Sequence, residues 1–569
     1  MTIDIPIGLA KGPGETPQDF TFVSPDRGQS LKVGEFITYE VEADGEERRI
    51  LSRIIDRQPL RLYPDAFLAE PEINPDLVAN LIGYLQSEYE LFEITATVIG
   101  YFDEILGGFI NPRLPPRAGR PVYLAPDEML ARLLTKKQSN ETGSAQIGSL
   151  LSRDLGKVPI ILDVAAIAST HMAIIASTGA GKSYLAGVLV EEMMSHYNRA
   201  AVLVVDPHGE YDTLADMMAT GSRLAHFQSG DYRPEVRIFH PGEVKVRISA
   251  LEISDLYYLL PNLSDRMMWL LGRAYREVSK VSRQEKGQPD RWTRGELEVY
   301  LRQLGEGRDS EGEDGSSTGA DYASTAEALN WRLESVLKHS LIFDDFKHLN
   351  LDELCRPGRC SVLQLNEVDE KEQQVMVATL LRRLLKARTQ TVKKQVGEGD
   401  ELYLPYPVFV LIEEAHRFAP ASEDAVSTRV LKTILSEGRK FGVAVGLISQ
   451  RPGRLDADVL SQCNTQFIMR IVNPVDQARV AESVETVGRD LLRELPALTK
   501  GQVIIAGEAV NTPVLCRVRK RHTRHGGETM DAPAEWLHYF SAEEQDRFER
   551  SKALPAQRPR DRKSKMFKE

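Results

Sequence analysis

Cysteine is scarce. The 569 residues hold four, Cys355, Cys360, Cys463 and Cys516, and their spacing is that of neither a zinc ribbon nor a CxxC redox pair. This excludes a disulfide-stapled architecture, and CRPGRC at 355–360 reads as ordinary reduced loop cysteines ahead of a small metal or disulfide loop. A basic excess is missing too: 71 Lys and Arg stand against 83 Asp and Glu, a formal charge of −12. That balance excludes a generic nucleic-acid coat, so any contact with DNA has to be locally concentrated. No stretch reaches the roughly 18 apolar residues of a membrane span, and the opening MTIDIPIGLAKGPGE lacks the basic start and apolar run of a signal peptide. The expectation is a cytoplasmic protein without a membrane partner.

What remains is ordinary globular composition, 42% hydrophobic and 27% charged, over a length that suits about three to four structural units. Residues 1–125 read as a small β-barrel. EFITYEV and RILSRII alternate on either side of Asp44-Gly45, as a hairpin does, and LFEITATVIGYFD alternates again before Pro/Arg-rich NPRLPPRAGRPV. A helical patch near Asp76 to Ser87 interrupts these strands. Residues 126–155 read as a connector. Short apolar runs then alternate with helical patterns: MAIIAS at 172–177, AAVLVVD at 200–206, SVLQLN at 361–366, VFVLIE at 408–413 and VAVGLIS at 443–449. Runs apolar on both faces suit a parallel sheet covered by helices, an α/β nucleotide-binding core in two parts, 156–214 and 346–520. Between them, 215–345 reads as a helical insertion around the polar GEGRDSEGEDGSSTGAD, and 521–569 as an extension with a basic tail from Ser551. The tail is read as a solvated terminus, with a DNA or partner contact as the alternative.

The chemistry concentrates in Ala176-Ser177-Thr178-Gly179-Ala180-Gly181-Lys182-Ser183, set between MAII and helix-compatible YLAGVLVEEMM. Glycines let backbone amides turn toward phosphate oxygens at a helix N-terminus, Lys182 reaches the β/γ-phosphates, and the Ser183 hydroxyl can ligate Mg²⁺. Residues Ser177 to Tyr184 are therefore the expected nucleotide contacts. Ala176 replaces the usual first glycine, which a position of negative φ tolerates. VFVLIEEAH supplies the acidic strand end: Glu413 supports the metal and Glu414 orients and activates the attacking water. Gln450 ends the next apolar strand, where its amide can sense the γ-phosphate. Arg439 and Lys440 either neutralise charge on the transferred phosphoryl or are solvated helix-end cations. Asp206 in VVDPHGEY either tunes the metal or caps a loop. The remaining carboxylates form no nuclease site, so DNA cleavage is expected to belong to another chain.

HMAIIASTGAGKS, VVDPHGEY, VLIEEAHRF, SEGRKFG and LISQRP, in this order behind a β-rich leader ending in LPPRAGRPV, resemble the HerA family of hexameric DNA-translocating ATPases in the HerA/FtsK group. The resemblance runs from about residue 20 to 520. It implies a RecA-like P-loop motor with an N-terminal barrel of the HAS type, a homohexameric ring, ATP and Mg²⁺. It also makes Glu414 the catalytic glutamate, Arg439 a trans-acting arginine finger and Gln450 the sensor. Ala176 and Glu413 stand where family members more often carry Gly and Asp, and Thr170, before His171, where they often carry Arg. Relatives thread double-stranded DNA and work with a NurA-like nuclease in end processing, or with a defence effector against phage. Arg417 and Arg429 are candidates for pore contacts, or plain exposed helix cations. The competing expectation is a ring scaffold whose ATP cycle assembles or gates a partner enzyme with little translocation.

Overall fold

The computed structural model describes residues 5–14, 16, 18–25, 31–43, 45–60, 91–219, 225–286, 291–306, 319–484, 487–526, 532, 533 and 536. The helical patch expected near Asp76 to Ser87, the polar stretch 307–318 and the basic tail from Ser551 lie outside them. The chain divides into two compact units, residues 1–524 and 525–569, and everything below concerns the first.

The leader is built by period-two alternation. Strands β1 (Pro6–Pro13), β2 (Asp19–Pro25), β3 (Phe36–Ala43), β4 (Glu46–Pro59), β5 (Leu91–Asp103), β6 (Gly108–Ile110) and β7 (Pro121–Leu124) form one sheet in the order β2-β1-β7-β3-β4-β5-β6. Pairing of β2 with β5 closes six of them into a barrel, with β6 appended to β5. Alternate residues of β2 and β5 turn inward, so Phe20, Phe22, Ile94 and Ala96 join Ile37, Tyr39, Ile50 and Ile54 in one core. The β3–β4 register pairs Ala43 with Glu46, leaving a two-residue connection in which Gly45 takes φ +80°, the conformation that favours glycine.

The rest of the unit is organised by a second sheet. Its strands are β8 (Ser144–Leu150), β9 (Pro159–Asp163), β10 (Met172–Ile175), β11 (Val202–Asp206), β12 (Glu235–Phe239), β15 (Arg359–Gln364), β16 (Val408–Ile412), β17 (Val443–Ser449), β18 (Thr465–Ile468), β19 (Gln502–Gly507) and β20 (Val514–Val518); the short pair β13 (Val246–Arg247) and β14 (Phe343–Asp344) stands apart. The order is β12-β15-β11-β16-β17-β10-β18-β19-β20-β8-β9. From β12 to β18 every neighbour is parallel, and from β18 to β9 every neighbour is antiparallel. Burial on both faces explains the uninterrupted apolar runs: in β11, Val202 and Val204 enter one core and Leu203 and Val205 the other. Each such side chain, fully enclosed, contributes about 1.5–3 kcal/mol relative to exposure.

The principal helices are α1 (Lys182–Met193), α2 (Asp265–Lys286), α3 (Arg294–Gly305), α4 (Gly319–Leu337), α5 (Glu370–Val392) and α6 (Val426–Phe441). The insertion is helical in α2 to α4, and α3 starts at a reciprocal cap in which Thr293 Oγ1 accepts from Glu296 N and the Glu296 carboxylate accepts from Thr293 N. Among the described residues no helix is long and apolar enough to cross a membrane.

Three spans differ from their sequence reading. The stretch 126–155 holds the helix Asp127–Leu133 and β8, which pairs with β20 and is integral to the sheet. Within 215–345, β12 is an edge strand of the sheet, hydrogen-bonded to β15. In 521–569, the first residues are pinned down: Thr523 N and Oγ1 donate to Glu191 Oε1, and Arg524 bonds Asp216. In each case pairing across a long chain separation outweighs a polar or helical local pattern. The four cysteines are buried and free.

Buried Arg53 and half-buried Arg153 fasten the barrel to the sheet. Arg53 on β4 reaches Asp490 Oδ2 at 2.7 Å and the Pro513 carbonyl at 3.1 Å. Arg153 binds Glu35 Oε1 at 2.9 Å, Asp127 Oδ1 at 2.8 Å and the Ala125 carbonyl at 2.9 Å. Burial raises the Glu35 pKa in spite of Arg153, so Glu35 depends on that partner for its charge. Arg153→Ala is expected to cost about 3–5 kcal/mol by stranding Glu35. A denaturant titration that moves by less than about 1 kcal/mol would mean the pair behaves as an exposed one.

Candidate nucleotide site

Four adjacent parallel strands, β11, β16, β17 and β10, deliver the candidate residues to one edge, because all four end there. β10 runs directly into the phosphate loop and α1. Gly179 and Gly181 take φ +78° and +104°, a conformation a Cβ would strain. Ala176 lies outside the positive-φ region and is fully buried, so alanine costs the loop no backbone strain there. The first amides of α1 follow at once and offer an anion site.

Lys182 is buried, and its Nζ bonds Glu413 Oε1 and lies 3.2 Å from Glu414 Oε1. Burial opposes the ammonium charge, but the two carboxylates outweigh it and raise the Lys182 pKa. Glu413 is fully buried just past the end of β16, and its second oxygen accepts from Tyr211 Oη at 2.8 Å. Burial pushes its pKa up to about 7 against the pull of Lys182 and Tyr211. Glu414 caps the short helix Ala415–Phe418 in left-handed backbone, φ 51° and ψ 46°. Its Oε2 stands 3.1 Å from His416 Nδ1. Burial acts upward on this carboxyl, but His416 and Lys182 carry it below its usual value. Two consecutive carboxylates are thus driven in opposite directions, one toward the neutral acid and one toward the anion.

Thr178 Oγ1 donates to Gln450 Oε1 at 2.8 Å, which brings the strand-end glutamine onto the phosphate loop. Asp206 is the loop cap: its carboxylate accepts from His208 N, Gly209 N and Tyr211 N at 3.2, 2.8 and 3.1 Å. The turn so fixed carries two residues that sequence reading passed over. Ser183 Oγ donates to Glu210 Oε2, and Tyr211 holds Glu413. Their only local signal was position, four and five residues past a strand-end aspartate. A polar cleft of about 610 Å³ opens beside these groups, lined among others by His208, Glu414, His416, Arg417, Gln450 and Arg451.

The Tyr184 hydroxyl is engaged elsewhere, its Oη accepting from Arg521 N at 2.8 Å. Arg439 and Lys440 are exposed at the C-terminal end of α6, just ahead of β17. Gln450 follows the far end of that seven-residue strand, so about 20 Å separates Arg439 from the site of its own chain. Arg429, also on α6, is strongly exposed, while Arg417 lines the cleft.

A strand, glycine turn and helix with buried lysine, paired strand-end carboxylates and an adjacent glutamine define a P-loop ATPase. Residues 145–384 match the family model described as "Helicase HerA, central domain". The "DNA double-strand break repair helicase HerA" of Pyrococcus furiosus is 31% identical over 476 residues, covering 78% of this chain and 80% of that protein. The protein of that name from Sulfolobus acidocaldarius is 27% identical over 516 residues, covering 89% and 92%. The chain belongs to the HerA helicase family. Among solved structures, the plasmid coupling protein TrwB with a non-hydrolysable ATP analogue aligns over 71% of this chain and 94% of its own, at 14% identity and a TM-score of 0.44.

His171, which opens the phosphate-loop strand, is buried at φ 63° and its Nδ1 accepts from Val445 N at 3.0 Å, tying β10 to β17. Burial lowers its pKa to about 4. Its neutral ring therefore favours the fold above pH 6.5, and this contribution is lost as pH falls toward 4, by up to ~1.4 kcal/mol per pH unit. His171→Asn is expected to flatten the fall of unfolding free energy between pH 6.5 and 4. An unchanged slope would show that His171 titrates alike in the folded and the unfolded chain.

Proposed function

We propose that this chain is an ATP-driven motor on double-stranded DNA that works as a homohexameric ring, with ATP between subunits, and that it serves a NurA-like nuclease in end processing or an effector in antiphage defence. The observation that carries the reading is the separation of the catalytic set. The phosphate loop, Glu414 and Gln450 share the strand-end edge, whereas Arg439 stands about 20 Å away at the opposite edge. Held there, Arg439 can act only on the nucleotide of a neighbouring subunit, which would couple hydrolysis to ring assembly. The names of the curated relatives support DNA as the track.

The residues fit Mg-ATP. Ser183 at the start of α1, with Glu210 and Glu413 on two loops at the same edge, offer hard oxygen donors, the donor type Mg²⁺ takes. Bound there, the ion would neutralise charge on the β- and γ-phosphates. Lys182, now held by Glu413 and Glu414, transfers its contact to the incoming phosphates, and Glu414 is freed as an anion facing the γ-phosphate. Glu414 orients a water and accepts its proton as the oxygen attacks phosphorus. The bond to the β–γ bridging oxygen breaks and the electron pair leaves with ADP. Gln450, bonded to Thr178, reports the γ-phosphate to the strand behind it. The Arg439 guanidinium of an adjacent subunit stabilises the charge on the departing group.

Mg-ATP hydrolysis with and without linear duplex DNA tests the reading. Turnover is expected to rise with duplex, and Glu414→Gln is expected to lower it by about 100-fold or more with ATP binding retained. Robust hydrolysis by that variant removes Glu414 from the reaction, and turnover indifferent to DNA favours the ring-scaffold reading. Arg439→Ala and Lys182→Ala are each expected to be inactive alone and to recover part of the activity when mixed, each supplying what the other lacks. No recovery on mixing excludes a role for Arg439 across the interface.

A further inference from the structure

At the far end of α1, about 15 Å from Lys182, three side chains from distant parts of the chain converge. Glu192 is the penultimate residue of α1, His226 lies ahead of β12, and His522 follows β20. One donor atom from each lies within 4.8 Å of the others, and His226 Nε2 is 3.4 Å from Glu192 Oε1. Two donors about 2.0–2.1 Å from one tetrahedral zinc stand roughly 3.4 Å apart. The imidazole rings of His226 and His522 are stacked, with centroids 4.6 Å apart and planes inclined by 26°.

The surroundings orient the donors. Glu192 Oε2 accepts from Gln146 N at 3.0 Å and from Tyr197 Oη at 2.8 Å, and Oε1 accepts from Arg519. Arg519 is also held by Glu191 Oε2 and by the Gln146 carbonyl, so it stays anchored when Oε1 turns a lone pair toward an ion. His226 Nε2 is enclosed and has no hydrogen-bond partner among the described residues.

We propose that Glu192, His226 and His522 form a binding site for a divalent transition-metal ion, best suited to zinc, that straps the segment 519–524 to the helix behind the phosphate loop. Two imidazoles and a carboxylate, with water as the fourth donor, are a zinc set and not a magnesium one. Hydrogen bonds from His522 N and Thr523 N to Glu191, and from His196 N to the His226 carbonyl, already hold the three stretches together, and an ion bound by the folded chain and not by the unfolded one adds to that stability.

The test uses the untagged full chain, stripped with chelator and titrated with Co²⁺. The expected result is about one equivalent giving the intense visible absorption of low-coordinate cobalt, displaced by Zn²⁺, with Zn²⁺ raising the melting temperature. His226→Ala and His522→Ala are each expected to weaken binding by about tenfold or more. Retention of the band in both variants, or only the weak absorption of six-coordinate cobalt, overturns the assignment. If the variants fail to fold, zinc-edge absorption of the wild-type chain decides: two imidazoles and a carboxylate support the site, and sulfur or all-oxygen ligation excludes it.

Discussion

Strands that all run the same way must end on the same edge, and the rest of this molecule follows from that constraint. Because β11, β16, β17 and β10 are neighbours, the Asp206 turn, Glu413 and Glu414, Gln450 and the phosphate loop are brought side by side without any of them being near in sequence. The same constraint requires cover on both faces. Parallel strands are rejoined by helices that run back across the sheet, and those helices bury the alternating side chains of each strand in two cores. It also sets where Arg439 stands. A helix that returns the chain to the start of β17 ends at the edge opposite the nucleotide loops, so a helix-end arginine there faces away from its own site.

At the loaded edge, electrostatics takes over from packing. Lys182, Glu413, Glu414 and Tyr211 sit where water is largely excluded, and each needs a partner within the group. The arrangement is self-neutralising in the absence of phosphate. Its asymmetry is informative: Glu413, fully enclosed, is driven toward its acid form, while Glu414, beside His416 and Lys182, is kept an anion. Adjacent carboxylates with opposed environments can divide the work, one supporting a cation and one accepting a proton. In the proposed cycle, phosphates on the α1 amides would take Lys182 from the carboxylates, exchanging one charge pair for another.

Much of this was legible in local patterns. Alternation in LFEITATVIGYFD maps onto β5 residue for residue, Gly45 sits at the β3–β4 connection, and the five apolar runs read as parallel strands are β10, β11, β15, β16 and β17. The phosphate loop and the paired glutamates announce themselves because their chemistry is held in a few consecutive residues. Strand β8, on the antiparallel flank of the sheet, and β12, at its parallel edge, did not. β8 lies in a stretch that reads as polar linker and β12 in one that reads as helical, and only pairing with β20 and β15 makes strands of them.

What the sequence by itself determined, then, is what depends on neighbours along the chain: strand and helix periods, the glycine turn at Gly179 to Gly181, and the identity of the residues carrying charge. Tertiary structure alone decided what depends on neighbours in space. Asp206 became a loop cap because three amides close around it, Glu210 and Tyr211 became part of the site because that turn aims them at Ser183 and Glu413, and Tyr184 was drawn off to Arg521. Glu192, His226 and His522 have no common motif, being separated by 34 and 296 residues. Hydrogen bonds and ion contacts act over a few ångströms, and a chain that folds back on itself brings such distances about between residues whose spacing in sequence carries no trace of it.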